Sequence, residues 1–346
     1  MSTAVEPEDA VATVRAAAAV PVRRRRRLAV GLAVVVVALM VVRVLLGGFT
    51  VTVPDFFRIV SGTTIPGASF IVMEVKLPRA VLGALVGVAF GVAGAVFQAT
   101  LRNPLASPDV IGVSVGASAA AVAAIVGLGL DDWGVSVAAV VGALGAAGLV
   151  RFVAGDHATH RLVLAGIGVQ AAMLSVIHYF FTRADEWDAQ LVLRWITGSL
   201  NQADWSTIGV LLVVLALLLP VTALMARAMR VVELGDDLAL SLGERPARLV
   251  GLLALATLLA AVGVAAAGPV AFVAFLSGPI ARRLNGGRTT LLGAALVGAA
   301  VVVGADFAAA ELLGGTNFPV GVVTGVLGAP FLLWLVATGR TRRRSA

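Results

Sequence analysis

Ten runs of apolar residues, each closed off by arginines, acids or turn residues, dominate this chain. They lie near 28–46, 78–98, 110–130, 134–152, 162–182, 205–226, 249–267, 270–284, 290–312 and 320–338. A helix that crosses the hydrocarbon core of a bilayer needs about 20 such residues. Of the 346 residues, 60% are hydrophobic and 13% charged, and the mean hydropathy is +1.01. A water-soluble fold has too little interior to hide that much apolar surface. The expected fold is therefore all-α: a polytopic membrane protein with about ten transmembrane helices in one domain over 28–338. No soluble domain of ordinary size fits between the runs.

Charge placement supports this count. The net charge of +7 is almost all arginine. It could suggest nucleic acid, but the arginines gather at the ends of apolar runs, which is a topology signal. If the arginine run 23–27 lies in the cytoplasm, alternation puts Arg102, the stretches 151–161 and 227–248, Arg282, Arg283, Arg288 and the tail 340–344 on that side. All of these carry arginine. Asp55, Glu74, Asp131, Asp132, Asp185, Glu186 and Asp188 fall on the other side. An even number of spans with both termini cytoplasmic is the consistent solution. The start imitates a signal peptide, but its apolar run is long and no A-x-A site follows. Residues 1–22 read as a disordered cytoplasmic tail and 339–346 as a basic one. The segment 270–284 is short and flanked by Gly268-Pro269, with Gly278-Pro279 inside it. A broken or half-length helix is expected there, tolerated where protein or water covers the freed backbone.

Absences narrow the function. The chain has no cysteine, hence no disulfide and no thiolate metal site. Lys76 is its only lysine and is followed by Leu77, so no G-x-x-x-x-G-K-[ST] phosphate loop exists. No catalytic triad or zinc motif is readable, and neither a catalytic nor a metal site is expected. His157 and His160 fall in an arginine-rich loop, and His178 near the end of a span, where a hydrogen-bonded structural role is expected over a proton relay. Gly83, Gly87 and Gly91 recur every four residues on one helix face, where a neighbouring backbone can approach closely. Gly142 and the stretch 145–148 suggest the same, and packing within one subunit is expected over a dimer motif.

The most patterned stretch runs from Leu77-Pro78-Arg79 through Gln98, Arg102-Asn103-Pro104-Leu105-Ala106 and Pro108-Asp109 to Gly112, Gly116 and Ala117. Further signatures are Leu164-Ala165-Gly166, Trp195-Ile196-Thr197-Gly198, Gly268-Pro269 through Arg282-Arg283, Ala305-Asp306, and Pro319-Val320-Gly321 with Gly328-Ala329-Pro330. In this order they resemble the FecCD family of ABC permeases, which import ferric siderophores, haem and cobalamin. The resemblance covers most of the chain. It implies a type II importer permease in the bacterial cytoplasmic membrane, working as a homo- or heterodimer with a separate ABC ATPase and an extracytoplasmic substrate-binding protein. ATP and Mg would be bound by that ATPase, and this chain would carry no cofactor. The string Phe275-Leu276-Ser277-Gly278-Pro279 is similar to versions in siderophore permeases, which makes a ferric siderophore the expected cargo over haem or cobalamin.

Residue by residue, three sites are expected. Asn103-Pro104 breaks helix, and polar backbone near it suits a translocation pathway at Gln98, Asn103, Ser114 and Ser118; the same groups would serve equally as caps. The resemblance makes Lys76 and Arg79 the docking point for acids of the binding protein, against an alternative of basic anchors at a helix end. Relatives often add an arginine after the acid matched by Asp306; Ala310 stands there, beside Glu311. The loop 232–250 carries Gly235, Asp236, Asp237, Leu238, Leu242 and Gly243. Its pattern predicts a short amphipathic helix from 236 to 242 with Leu238 and Leu242 on one face, ended by Gly243, and a new helix opened by Pro246. The resemblance implies that this helix couples to the ATPase; lying on its own membrane domain or in the lipid interface is the alternative. Asp306 reads as a packing or capping acid rather than a proton carrier. An ion-coupled secondary transporter, with only Asp306 and His178 to bind the ion, and a non-transporting scaffold are the remaining readings.

Overall fold

The computed structural model describes residues 7–155, 159–232, 236–243, 246–313 and 317–342, and every regular element among them is helical. In chain order these are α1 (Pro7–Leu45), α2 (Val53–Val60), α3 (Ala68–Phe70), α4 (Leu77–Thr100), α5 (Val113–Val122), α6 (Asp132–Ala154), α7 (Thr159–Phe181), α8 (Glu186–Thr197), α9 (Trp205–Met225), α10 (Arg227–Val232), α11 (Asp236–Ser241), α12 (Pro246–Ala267), α13 (Val273–Leu284), α14 (Leu291–Phe307) and α15 (Val320–Arg342). A π-helical segment, Ile71–Lys76, joins α3 to α4. Shorter ones, Ala123–Gly127 and Ala308–Leu312, prolong α5 and α14.

All ten expected apolar runs are helices. Seven are long and apolar enough to cross a membrane; Val113–Gly127 and Val320–Trp334 are shorter apolar helices. The tenth, α13, has 12 residues. At 1.5 Å per residue it spans about 18 Å, well short of a hydrocarbon core of about 30 Å. It is the half-length helix that the glycine–proline pairs foretold. One expectation is corrected at the start: residues 7–22 continue α1 as helix rather than forming a disordered tail. Their alanines have the highest helix propensity of any residue.

The bundle is built around α4, whose membrane window is 78% buried, against 17% for α1 and for α7. It packs against α12, α13 and α14. A Cβ on Gly87 would collide with the carbonyl oxygen of Gly298, and one on Gly91 with that of Ala294. The recurring glycines therefore bring α4 and α14 to backbone contact inside one chain, as expected. Gly142 and Gly116 do the same for α6 and α5. Gly145 and Gly148 face open space, whereas Ala146 between them is buried against Gly116 of α5.

Cross-contacts define the two ends of the bundle. At one end Lys76, before α4, meets the end of α1, Trp205 at the start of α9 donates to the Met73 carbonyl, and Ser199 donates its N–H to the last residue of α12. Thr52, Asp185 and Asp204 cap α2, α8 and α9 there, satisfying N–H groups that lipid cannot. At the other end Arg24 donates to the carbonyl of Leu284, the last residue of α13.

Candidate functional site

The first site lies where α1, α4 and α14 converge. Asp306 is 1% exposed. Its two carboxylate oxygens accept from different arginines, Arg43 Nε at 2.6 Å and Arg79 Nε at 2.7 Å. Arg79 also donates to Asn317 Oδ1 at 3.3 Å. Glu311 stands 4.0 Å from Arg43 Nη1 and accepts the N–H of Gly48. Lys76 places its Nζ 2.7 Å from the Leu46 carbonyl oxygen and 2.5 Å from that of Phe49, satisfying backbone acceptors just past the end of α1.

This geometry gives both expected docking residues partners within the subunit. Lys76 and Arg79 are each 5% exposed. Their charges are spent inside the subunit, on carbonyls and on Asp306, and neither offers a free cation to a partner's acids. The sequence reading separated Asp306 from Arg79 and missed Arg43 and Asn317. Arg43 carried a signal: it is a lone charge within the first apolar run, and such a charge in lipid must find a counter-ion. Ala310 sits where an arginine was anticipated, and here Arg43, from α1, reaches the acid.

The second site concerns the expected pathway. Ser114 and Ser118 line a cavity of about 300 Å³ together with His178, Leu193, Ile196 and Pro269. Ser118 Oγ donates to the Trp195 carbonyl at 3.1 Å, tying α5 to α8. Ser114 Oγ donates to the Asp109 carboxylate, and Gln170 donates to the Asp109 carbonyl. Burial pushes the Asp109 carboxyl above its ordinary range, and the Ser114 hydrogen bond opposes that shift. Gln98 and Asn103 do not join this group. Gln98 donates to the Phe275 carbonyl at 3.0 Å, bracing α4 against α13. Asn103 accepts the Leu105 N–H at 2.9 Å, a turn cap beside Pro104. Of the four expected residues, two border a cavity, one braces two helices and one caps a turn.

The third site is the loop after α9. Helix α11 forms where the pattern placed it. Leu238, Leu240 and Leu242 are all more than half exposed, while Ala239 is buried. Gly243 closes the helix with φ +80, a left-handed conformation that glycine takes at no steric cost, and Pro246 opens α12. Gly235 lies outside the described residues, and so do the side chains of Asp236 and Asp237. His157 also falls outside them, and His160 is described only as backbone.

The sequence profile of the FecCD transport family matches residues 34–338. The chain is 36% identical over 296 residues to the ferric enterobactin transport system permease protein FepG of Escherichia coli (strain K12), covering 84% of this chain and 89% of that one. It is 36% identical over 314 residues to the achromobactin transport system permease protein CbrC of Dickeya dadantii (strain 3937), covering 88% and 89%. Among solved structures, one described as a metal-chelate type ABC transporter in an inward-facing conformation superposes with a TM-score of 0.77. That match covers 90% of this chain and 99% of that one at 24% identity, a likeness of fold alone.

Proposed function

We propose a function from one premise: this chain belongs to the FecCD transport family. The proposed role is the permease subunit of an ATP-driven importer for iron chelates in the bacterial cytoplasmic membrane, with ferric siderophores as cargo. The observation that carries the cargo assignment is the similarity, along nearly nine-tenths of their lengths, to permeases named for ferric enterobactin and achromobactin. A hemin transport permease of Yersinia pestis, 36% identical over 53% of this chain, keeps haem as the second reading.

In this scheme a separate ATPase binds ATP and Mg and seats the exposed leucines of α11. Closure of the ATPase dimer would push on α10–α11 and, through Pro246, on α12. Two permease chains would enclose the path, with the Ser114–Ser118 cavity near it. A binding protein would deliver cargo at the end where Asp306 lies, and both termini would be cytoplasmic. The buried Lys76 and Arg79 would hold that end together rather than grip the binding protein. Asp306 already serves two arginines, which leaves no free intramembrane carboxylate at that position for an ion-coupled mechanism.

The test is uptake in a strain lacking its own siderophore permeases, with this chain expressed beside its neighbouring genes. Radio-iron-loaded enterobactin is offered against haem and cobalamin. Import of the siderophore that stops on ATP depletion, with membrane potential intact, is the expected result. Import that survives ATP depletion, or uptake of haem or cobalamin instead, overturns it.

A further inference from the structure

A larger cavity, of about 740 Å³, lies apart from the Ser114–Ser118 pocket, on the opposite side of α8. Helices α6 and α9 both pack on α12 but, among the described residues, stand apart from one another. The gap between them has a floor of α12 residues, Val262, Ala265 and Ala266. Its walls are Val137, Val140 and Val141 of α6, facing Val210, Leu211 and Val214 of α9. Both walling helices are mostly unburied, at 28% and 22%, so the groove opens to the outside of the bundle.

Its mouth is polar, and one group there is unsatisfied. Arg194 of α8, itself part-exposed, lines the cavity, and among the described residues its guanidinium has no hydrogen-bond partner. Three carboxylates, Asp131, Asp132 and Asp204, line the same mouth, yet among the described residues Arg194 pairs with no acid. Asp131 does not cap the helix it precedes, whereas Asp204 caps α9. Trp133 lies at the mouth, half exposed, a side chain suited to the membrane interface. From Asp131 to Val141, and from Asp204 to Val214, each helix rises about 15 Å, one leaflet's share of a core of about 30 Å.

We propose that this groove is a binding site for a zwitterionic aminophospholipid, with its phosphate on Arg194, its ammonium among Asp131 and Asp132, and an acyl chain between α6 and α9. A guanidinium with no partner at the mouth of an apolar slot suits an anion, and a phosphate supplies charge-assisted acceptors. The neighbouring carboxylates would repel a purely anionic headgroup, whereas an amine beside the phosphate answers both signs at once. An apolar slot one leaflet deep beneath that mouth fits a lipid tail and gives a free phosphate nothing to bind.

The experiment takes the assembled transporter, extracted and depleted of lipid. It is then exposed to vesicles holding equal amounts of phosphatidylethanolamine and phosphatidylglycerol, and bound lipid is counted by native mass spectrometry. Phosphatidylethanolamine is expected to be retained over phosphatidylglycerol by about tenfold, the scale of one charge-assisted hydrogen bond. Arg194→Gln should lower that retention about tenfold, and Arg194→Lys should restore most of it. Asp131→Asn with Asp132→Asn should erase the preference between the two lipids. Equal retention of both lipids by the unaltered chain overturns the proposal, as does displacement of the lipid by inorganic phosphate alone. Retention unchanged in Arg194→Gln also overturns it. The competition on the unaltered chain decides the matter even if a variant fails to assemble.

Discussion

The Asp306 cluster and the α11 loop treat their surfaces in opposite ways. Around Asp306 five ionisable side chains are drawn into the interior, and each meets a counter-charge or a carbonyl from another segment. In α11 and the turn that ends it, Leu238, Leu240 and Leu242 are more than half exposed among the described residues. Polar groups are hidden where the chain completes itself, and apolar groups are shown where it does not. The first arrangement locks α1, α4 and α14 together; the second suits a partner's groove. The comparison teaches that, here, burial rather than charge separates structural residues from interface residues. By that measure Lys76 and Arg79 belong to the lock.

Four substitutions would break or sharpen this contrast, in decreasing order of their effect on stability. Asp306→Ala leaves Arg43 and Arg79 buried without a counter-ion, and should cost about 3–5 kcal/mol. Thermal unfolding in detergent measures it, and a loss below about 1 kcal/mol would mean that water reaches the cluster. Lys76→Met frees two carbonyls past α1 and should cost about 1–3 kcal/mol. Binding-protein affinity, measured on the same purified sample, should stay unchanged; a large loss there would restore Lys76 as a docking residue. Gly243→Ala must take a positive φ, at a cost of about 1 kcal/mol, seen as a small drop in melting temperature. Leu238→Asp with Leu242→Asp should shift stability by no more than about 0.5 kcal/mol. Pull-down should nonetheless show the ATPase lost from the complex. Retention of the ATPase would return α11 to the lipid interface.

Much of the fold was legible because lipid permits so few solutions. A run of apolar residues in hydrocarbon has to be helical, since its backbone finds no other hydrogen-bond partner. Gly268-Pro269 and the short run after it announced α13, and Gly243 and Pro246 bracketed the loop helix. The sites were less legible. Ser114, Ser118, Gln98 and Asn103 all stand out as polar residues beside apolar runs, yet nothing in the sequence separates the two that border a cavity from Gln98, which braces two helices, and Asn103, which caps a turn. The intrachain partners of Lys76 and Arg79 were not legible, because a basic pair at a helix end reads alike whether it faces water or its own subunit. The helical extension into residues 7–22 was overlooked because its alanines were read as a mobile tail.

Residue order alone determined that this chain is a polytopic helical membrane protein, roughly where its spans lie, and that Gly87 and Gly91 let helices touch. These are consequences of local chemistry: hydropathy, periodicity and backbone freedom. Only the tertiary structure decided which charges are partners. Arg43 and Asp306 are 263 positions apart, and no rule of spacing joins them. An electrostatic pair depends on distance in space, and that distance exists only once α1, α4 and α14 have packed.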